Sequence, residues 1–300
     1  MNFNYAIVLD NISYSFRGNN VLNSLNLQIP QGSIYGILGL NGVGKTTMIK
    51  LLTGLYLPTS GIITVFGIPI NSQNISVLKE YTGSLIEEAS LYDHLTAIQN
   101  LKIVSQMYGL DYDNIYALLK VVDLYEARQK KVKTYSLGMR QRLGIAMALV
   151  SNPKLLILDE PMNGLDPLGI VEFRNFLKKL SIELGLTVIF SSHNLHEVEL
   201  MATHIAILSN KNIVFESTLP IKNIHNPLIL LKVDTEYSTQ ARKALNDNNF
   251  KIIKESLGEF EIECGLNTTI RDVVLKTDPI KWNYISLKKI NIEELFLENI

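Results

Sequence analysis

Gly39, four intervening residues and then Gly44-Lys45-Thr46 are spaced to hold a row of phosphates. In the full segment Gly39-Leu40-Asn41-Gly42-Val43-Gly44-Lys45-Thr46-Thr47, the glycines let backbone N–H groups turn inward around phosphate oxygens. The helix expected to follow adds the partial positive charge of its N-terminus. Lys45 can then reach the β and γ phosphates, and the Thr46 hydroxyl can ligate Mg²⁺. The motif lies between the apolar run Ser33–Leu38 and the apolar run Met48–Leu52, which is the strand–loop–helix context it requires. An ordinary glycine-rich turn does not account for that placement. Gly36, Gly39 and Gly42 are spaced by three, so they do not give the G-x-G-x-x-G order of a dinucleotide site.

A second chemical feature is Leu155-Leu-Ile-Leu-Asp159-Glu160, two carboxylates closing an apolar strand. Asp159 can hold Mg²⁺ directly or through water, and Glu160 can polarise an attacking water. Taken alone, an acidic, solvated strand end is an equally good reading. Beside a phosphate loop the chemical reading is favoured.

The elements that must position these residues follow from the hydrophobic pattern. Ala6–Leu9, Val21–Ile29, Ser33–Leu38 and Ile62–Phe66 read as strands separated by Gly, Asn and Pro signals. From Ser90 to about Ser151 the spacing becomes helical, with Ile98, Leu101, Val104 and Tyr108, then Tyr116, Leu119 and Val122. Next come the buried-strand run Leu155–Leu158, a helix carrying Phe173, Phe176, Leu177, Leu180 and Leu184 and closed by Gly185, and the strand Thr187–Phe190. This alternation is the pattern of an α/β fold with a parallel sheet. After Asn226 the pattern resets into strand-like Leu228–Val233, helix-like Thr239–Asn248, strand-like Phe250–Lys254 and Phe260–Cys264, and helix-like Thr268–Lys276. A tail ending in Ile292-Glu-Glu-Leu-Phe-Leu297 follows. The expected organisation is one domain over residues 1–225 and a small α/β domain over 226–300.

Composition narrows the classes further. The 300 residues are 47% hydrophobic and 19% charged, well away from the composition of disordered chains. Charge is balanced, 28 basic against 29 acidic residues, and no basic patch suggests a nucleic-acid partner. The single cysteine, Cys264, cannot form an internal disulfide, which points to a reducing compartment and excludes a thiol-based zinc site. The opening residues lack the basic and apolar regions of a secretory signal. The run Leu143–Leu158 is broken by Asn152, Pro153 and Lys154, short of a membrane span. A cytoplasmic chain is expected, and work at a membrane would need another chain to cross it.

Between the two chemical motifs lies Tyr135-Ser-Leu-Gly-Met-Arg-Gln-Arg142; Gly164-Leu-Asp166-Pro167 and Ser191-Ser-His193 follow the acidic pair. In this order, over roughly residues 1–220, the chain resembles the nucleotide-binding subunits of ABC transporters. The usual signature of that family, leucine-serine-glycine-glycine-glutamine, is kept at Ser136 and Gly138 and altered at Tyr135, Leu137 and Met139. The resemblance implies a P-loop NTPase domain with a RecA-like core, an antiparallel β subdomain and a helical subdomain, plus the small C-terminal α/β domain. It implies ATP and Mg²⁺ as ligands, bound by the loop residues Gly39 through Thr47. Ser136 and Gly138 would face the γ-phosphate of a second copy in an ATP-dependent head-to-tail homodimer, and Asp166 would sit across the seam. His193 would contact the γ-phosphate and steady the attacking water. Phe16 falls where the family stacks an aromatic ring on adenine, and Val21 is near the base. Separate integral membrane permease subunits would hold the chain at the inner face of the cell membrane.

One departure stands out: Glu87 occupies the position where the family has glutamine, within Thr82-Gly-Ser-Leu-Ile-Glu-Glu-Ala-Ser. Glutamate still offers an oxygen to Mg²⁺ but adds a negative charge near the catalytic water. With the Ser-Leu-Gly-Met signature, this resembles the branch of bacitracin-resistance and lantibiotic self-immunity ATPases, implying export of an antimicrobial peptide. Another drug, a lipid-like substrate, or a soluble regulatory ATPase not coupled to transport remain alternatives. A role for the C-terminal unit in sensing a small molecule or partner also stays open. Chromosome and repair ATPases insert long coiled coils between loop and signature, whereas Lys45 and Ser136 stand only 91 positions apart. Translation ATPases carry two motif sets in one chain, against one here. His193, His196, Glu197 and Glu199 superficially suggest a metal cluster, but their order is not H-E-x-x-H. Tyr92, Met107 and Tyr108 read as helix core in preference to a docking surface.

Overall fold

The computed structural model describes residues 4–219, 228–264, 268–287 and 296. Contacts divide the chain into two compact units, Met1–Pro220 with Phe296–Ile300, and Ile221–Leu295. The expected domain boundary after residue 225 and the tail motif around Ile292 lie outside the described residues, Phe296 excepted.

The larger unit begins with β1 (Tyr5–Phe16) and β2 (Asn19–Pro30), a hairpin closed by Arg17 and Gly18 at φ 50° and 82°. Two consecutive positive φ values match the right-handed twist of the strands. β3 (Ile34–Leu38), α1 (Lys45–Leu52), β4 (Ser60–Val65), β5 (Ile68–Pro69), α2 (Ile75–Tyr81) and β6 (Thr82–Leu85) follow. Then come α3 (Ala97–Met107), α4 (Ile115–Val121), α5 (Leu137–Ala148), β7 (Leu155–Leu158), α6 (Pro167–Leu184), β8 (Thr187–Ser192), α7 (Leu195–Met201), β9 (His204–Ser209) and β10 (Asn212–Thr218).

These strands form two sheets. An antiparallel sheet has the order β2-β1-β4-β5; a six-stranded sheet has the order β10-β9-β3-β8-β7-β6, parallel except for the β9–β10 pair. Every residue of β3, β7 and β8 is buried, which explains why these segments read as continuous apolar runs without alternation. One core joins the sheets: Ile7 and Leu25 from the antiparallel sheet share it with Tyr35, Leu155 and Ile189, and with Met48 and Ile49 of α1. The helix that carries Lys45 and Thr46 is thereby fixed between two sheets.

Two features differ from the reading of the sequence. α2 has no counterpart in the hydrophobic pattern, because only Leu78 of its seven residues is buried and it carries no apolar stripe. Tyr92, Met107 and Tyr108 are exposed, Met107 to 82%, and Tyr116 is exposed too; they are not helix core. The buried face of α3 is Ala97, Ile98, Asn100, Leu101 and Ser105, and Met107 and Tyr108 lie past its last buried turn. Met107 and Tyr108 instead line a groove of about 780 Å³ with Leu55, Leu78, Val104 and Met147.

The second unit comprises β11 (Leu228–Lys232), α8 (Ser238–Asp247), β12 (Lys251–Ser256), β13 (Glu259–Glu263), α9 (Ile270–Lys276) and β14 (Tyr284–Leu287). Its sheet is antiparallel with the order β12-β13-β11-β14, the split βαβ or ferredoxin-like arrangement. Ile229, Leu231, Phe260 and Ile262 from the sheet pack with Ala241, Leu245 and Val273 from the helices. Cys264 is buried in this core. Such a fold hosts many unrelated functions and does not by itself assign one.

Candidate functional site

β3, β8 and β7 are neighbouring parallel strands, so their C-terminal ends meet along one edge of the sheet. The loop after β3, Asp159-Glu160 after β7, and Ser191-Ser192 at the end of β8 with His193 beyond it therefore converge. Ligands in open α/β sheets sit at this end.

The loop's geometry demands its glycines. A Cβ on Gly39 would come within 2.6 Å of the Leu208 carbonyl oxygen. Gly44 has φ 111°, in the region L side chains rarely adopt, and caps α1. Lys45 is buried; its ammonium donates to the Gly39 and Leu40 carbonyls at 2.8 and 3.2 Å and stands 3.1 Å from Glu160 Oε1. Thr46 and Thr47 occupy the first turn of α1, while Asn41 and Gly42 are exposed on the loop and Val43 is half-buried.

Glu160 is the centre of the cluster. Its Oε2 lies 2.9 Å from His193 Nδ1; since a carboxylate only accepts, Nδ1 carries the proton in this contact. Its backbone sits at φ 46°, an uncommon conformation for glutamate that turns the chain sharply after Asp159. Ser191, fully buried, accounts for much of the local order: its hydroxyl donates to Asp159 Oδ1 at 2.5 Å and accepts from the Glu160 N–H at 2.8 Å. Within the Ser-Ser-His run the residue types single out His193 alone, and only the fold shows the part played by Ser191. Its signal was a small hydroxyl at the end of the strand next to the acidic pair.

Glu87, beyond β6, lines a cavity of about 500 Å³ together with Asp159 and Glu160. Its Oε1 lies 3.0 Å from Lys50 Nζ, and this hydrogen bond holds the Lys50 ammonium above the ordinary lysine range. Thr46, Asp159 and Glu87 supply only oxygen donors, and Mg²⁺ takes one or two carboxylates with phosphate oxygens and waters. The residues present fit that ion. Among the described residues no group of three or more His, Cys, Asp or Glu is arranged to hold a metal by itself, His193 and His196 included.

Ser136 and Asp166 play matching local roles. Ser136 caps α5, its hydroxyl accepting from the Met139 N–H at 3.3 Å; Asp166 caps α6, accepting from the Gly169 N–H at 3.0 Å. With Gly138 they line a separate cavity of about 660 Å³ whose lining contains no residue of the phosphate loop. Phe16 is half-exposed at the tip of the β1–β2 hairpin, with the Arg17 guanidinium 5.4 Å from its ring centroid. Val21 adjoins the loop, its Cγ1 3.6 Å from where a Gly44 Cβ would stand.

A phosphate loop after a central parallel strand, an acidic pair after the strand two places along the sheet and a histidine after the strand between them define a P-loop nucleoside-triphosphatase. Residues 22–163 match the family model described as ABC transporter. A bacitracin transport ATP-binding protein, BcrA of Enterococcus faecalis, is 44% identical over 71% of this chain and 69% of its own length. A lantibiotic transport ATP-binding protein, SrtF of Streptococcus pyogenes, is 43% identical over 69% of this chain and 89% of its own. Among solved structures, the dimeric ATP-binding cassette MJ0796, bound to ADP and Pi in a post-hydrolysis state, superposes with TM-score 0.63 at 25% identity, covering 71% of this chain and 98% of that one. This chain belongs to the ABC transporter ATP-binding family. It is an ATP-hydrolysing subunit of an ABC transporter, and no helix among its described residues is long and apolar enough to cross a membrane.

Proposed function

We propose that two copies of this chain close head to tail over two ATP molecules and power export of a membrane-active antimicrobial peptide of the lantibiotic or bacitracin kind. The observation that carries the hydrolytic part is Glu160, held between the Lys45 ammonium and the His193 imidazole. An arriving triphosphate offers Lys45 a denser negative charge than one carboxylate, so Glu160 Oε1 is released to accept a proton from water. His193, keeping Nδ1 on Glu160, steadies that water against the γ-phosphate. The loop from Gly39 to Thr47 donates its N–H groups to the phosphates. Thr46, Asp159 and Glu87 would hold Mg²⁺, which would supply charge neutralisation to the phosphates.

The second half of each site comes from the other copy. Ser136 and Gly138 stand at the N-terminus of α5, where unpaired N–H groups and the helix dipole attract an anion. With Asp166 they would meet the opposite phosphate loop across the seam. The exposed ring of Phe16 would stack on adenine, with Val21 beside it. The groove lined by Leu55, Met107 and Tyr108 offers apolar side chains to separate membrane permease subunits, which would hold the chain at the cytoplasmic face of the cell membrane. Residues 226–300 would form an accessory domain. The names of the relatives and the Glu87 and Ser-Leu-Gly-Met departures support the peptide substrate.

The test is Glu160→Gln in cells challenged with the peptide. Loss of resistance with ATP binding retained is expected. Retained resistance with hydrolysis abolished would overturn the proposal. The same variant, tagged and incubated with ATP in detergent-solubilised membranes, should recover a polytopic membrane protein lacking ATPase motifs.

A further inference from the structure

Three carboxylates, Glu87, Asp159 and Glu160, line one cavity, and their like charges repel. Two of them are offset locally: Glu160 by Lys45 and His193, Asp159 by the Ser191 hydroxyl. Glu87 is met by Lys50, across 37 positions of sequence. Lys50 follows Thr46 by four residues on α1, so the two side chains leave the same face of that helix. The Lys50 ammonium therefore stands on the side of α1 from which Thr46 would hold Mg²⁺.

The backbone around Glu87 is anchored at both ends. Ile86 packs against the central core, and Ala89 lies so close to α5 that a Cβ on Gly144 would meet it at 2.6 Å. Glu87 itself adopts φ 61°, and its side chain is 69% exposed. With the backbone set and little packing around the carboxylate, Lys50 is the cation that selects where it points. A neutral amide at position 87 would have far less need of such a partner.

We infer that Lys50 is a positioning residue that holds the Glu87 carboxylate at α1 and competes for it with the divalent cation of an incoming nucleotide. The inference rests on the reading of Glu87 as a ligand of that cation. Once Glu87 turns away, Lys50 would keep its place over the Tyr56 ring, 5.9 Å from the ring centroid. Exchange between the two partners makes the divalent-ion requirement of nucleotide binding a property of this pair.

The experiment is a Mn²⁺ titration of the full chain, with Mn²⁺ standing in for Mg²⁺, at a saturating concentration of an ATP analogue with a β,γ-imido bridge. Free Mn²⁺ is read by electron paramagnetic resonance. Removing the competitor in Lys50→Met should tighten Mn²⁺ by about two- to fivefold at low salt, the range of an exposed ion pair. Lys50→Arg, which keeps the charge, should return the wild-type value. Glu87→Gln should weaken Mn²⁺, and adding Lys50→Met to Glu87→Gln should then change nothing further. Unchanged or weaker binding in Lys50→Met overturns the inference, as does equal tightening in both backgrounds, which would mark a general field effect. Wild-type affinity in Glu87→Gln overturns the underlying assignment of Glu87 as a ligand. Circular dichroism of each variant confirms that differences come from folded protein.

Discussion

The Ser191 hydroxyl joins two neighbouring strand ends by donating to Asp159 Oδ1 and accepting from the backbone N–H of Glu160. A single fully buried side chain thus sets both the direction of the Asp159 carboxylate and the turn that carries Glu160. Ser191→Ala leaves a buried carboxylate oxygen and an N–H without this partner, at a cost of about 1–3 kcal/mol for each unsatisfied group. The expected outcome is a lower melting temperature and a rise in the Mg²⁺ concentration that half-saturates hydrolysis. An unchanged Mg²⁺ dependence would show that Asp159 is oriented by other contacts.

Glu160→Gln keeps the size of the side chain and removes its capacity to take a proton. Hydrolysis is expected to fall by about 10²–10⁴, the usual contribution of a general base. ATP should then accumulate at the seam instead of being consumed. Light scattering during gel filtration should report a dimer with ATP and a monomer without it. A variant that hydrolyses at the wild-type rate would remove Glu160 from the proton-transfer role.

Arg174 on α6 and Glu197 on α7 form a largely buried ion pair at 3.5 Å, linking the helix capped by Asp166 to the helix that follows His193. Removing one partner of a buried pair leaves an uncompensated charge, so Glu197→Leu should destabilise the chain by about 3–5 kcal/mol. Arg174→Met combined with Glu197→Leu should recover most of that loss. Thermal unfolding of the two single variants and the double variant checks this, and additive losses would show that the pair is not coupled.

Gly144 sits where α5 touches the loop after β6. A methyl group there would approach the Ala89 Cβ to 2.6 Å and Leu85 Cδ1 to 3.1 Å. Gly144→Ala is expected to cost about 1–3 kcal/mol by overpacking and to shift the segment bearing Glu87. Accordingly, proteolysis between Ile86 and Leu95 should become faster in this variant. No change in cleavage would mean that the strain is absorbed elsewhere.

Much of the site was legible because its signals are local. A phosphate loop needs particular residues at consecutive positions, since φ and close approach are properties of the residue itself, as Gly39 and Gly44 illustrate. Strands covered on both faces, such as Leu155–Leu158, announce themselves as unbroken apolar runs. The altered residue at position 87 stood out only against the pattern of the family that the chain resembles.

What the sequence by itself determined, then, are the elements and motifs whose rules act within a few residues: the loop, the acidic strand end and the strand–helix alternation. The tertiary structure alone decided the pairings between distant positions: Ser191 with Asp159 and Glu160, Lys45 with Glu160, Lys50 with Glu87. It also decided that Met107 and Tyr108 are surface and not core, because α3 turns a different face inward. Such contacts depend on which strands become neighbours in the sheet and how far each helix is rotated against it. Residue types along the chain do not encode those two quantities locally, and packing of the whole core sets them.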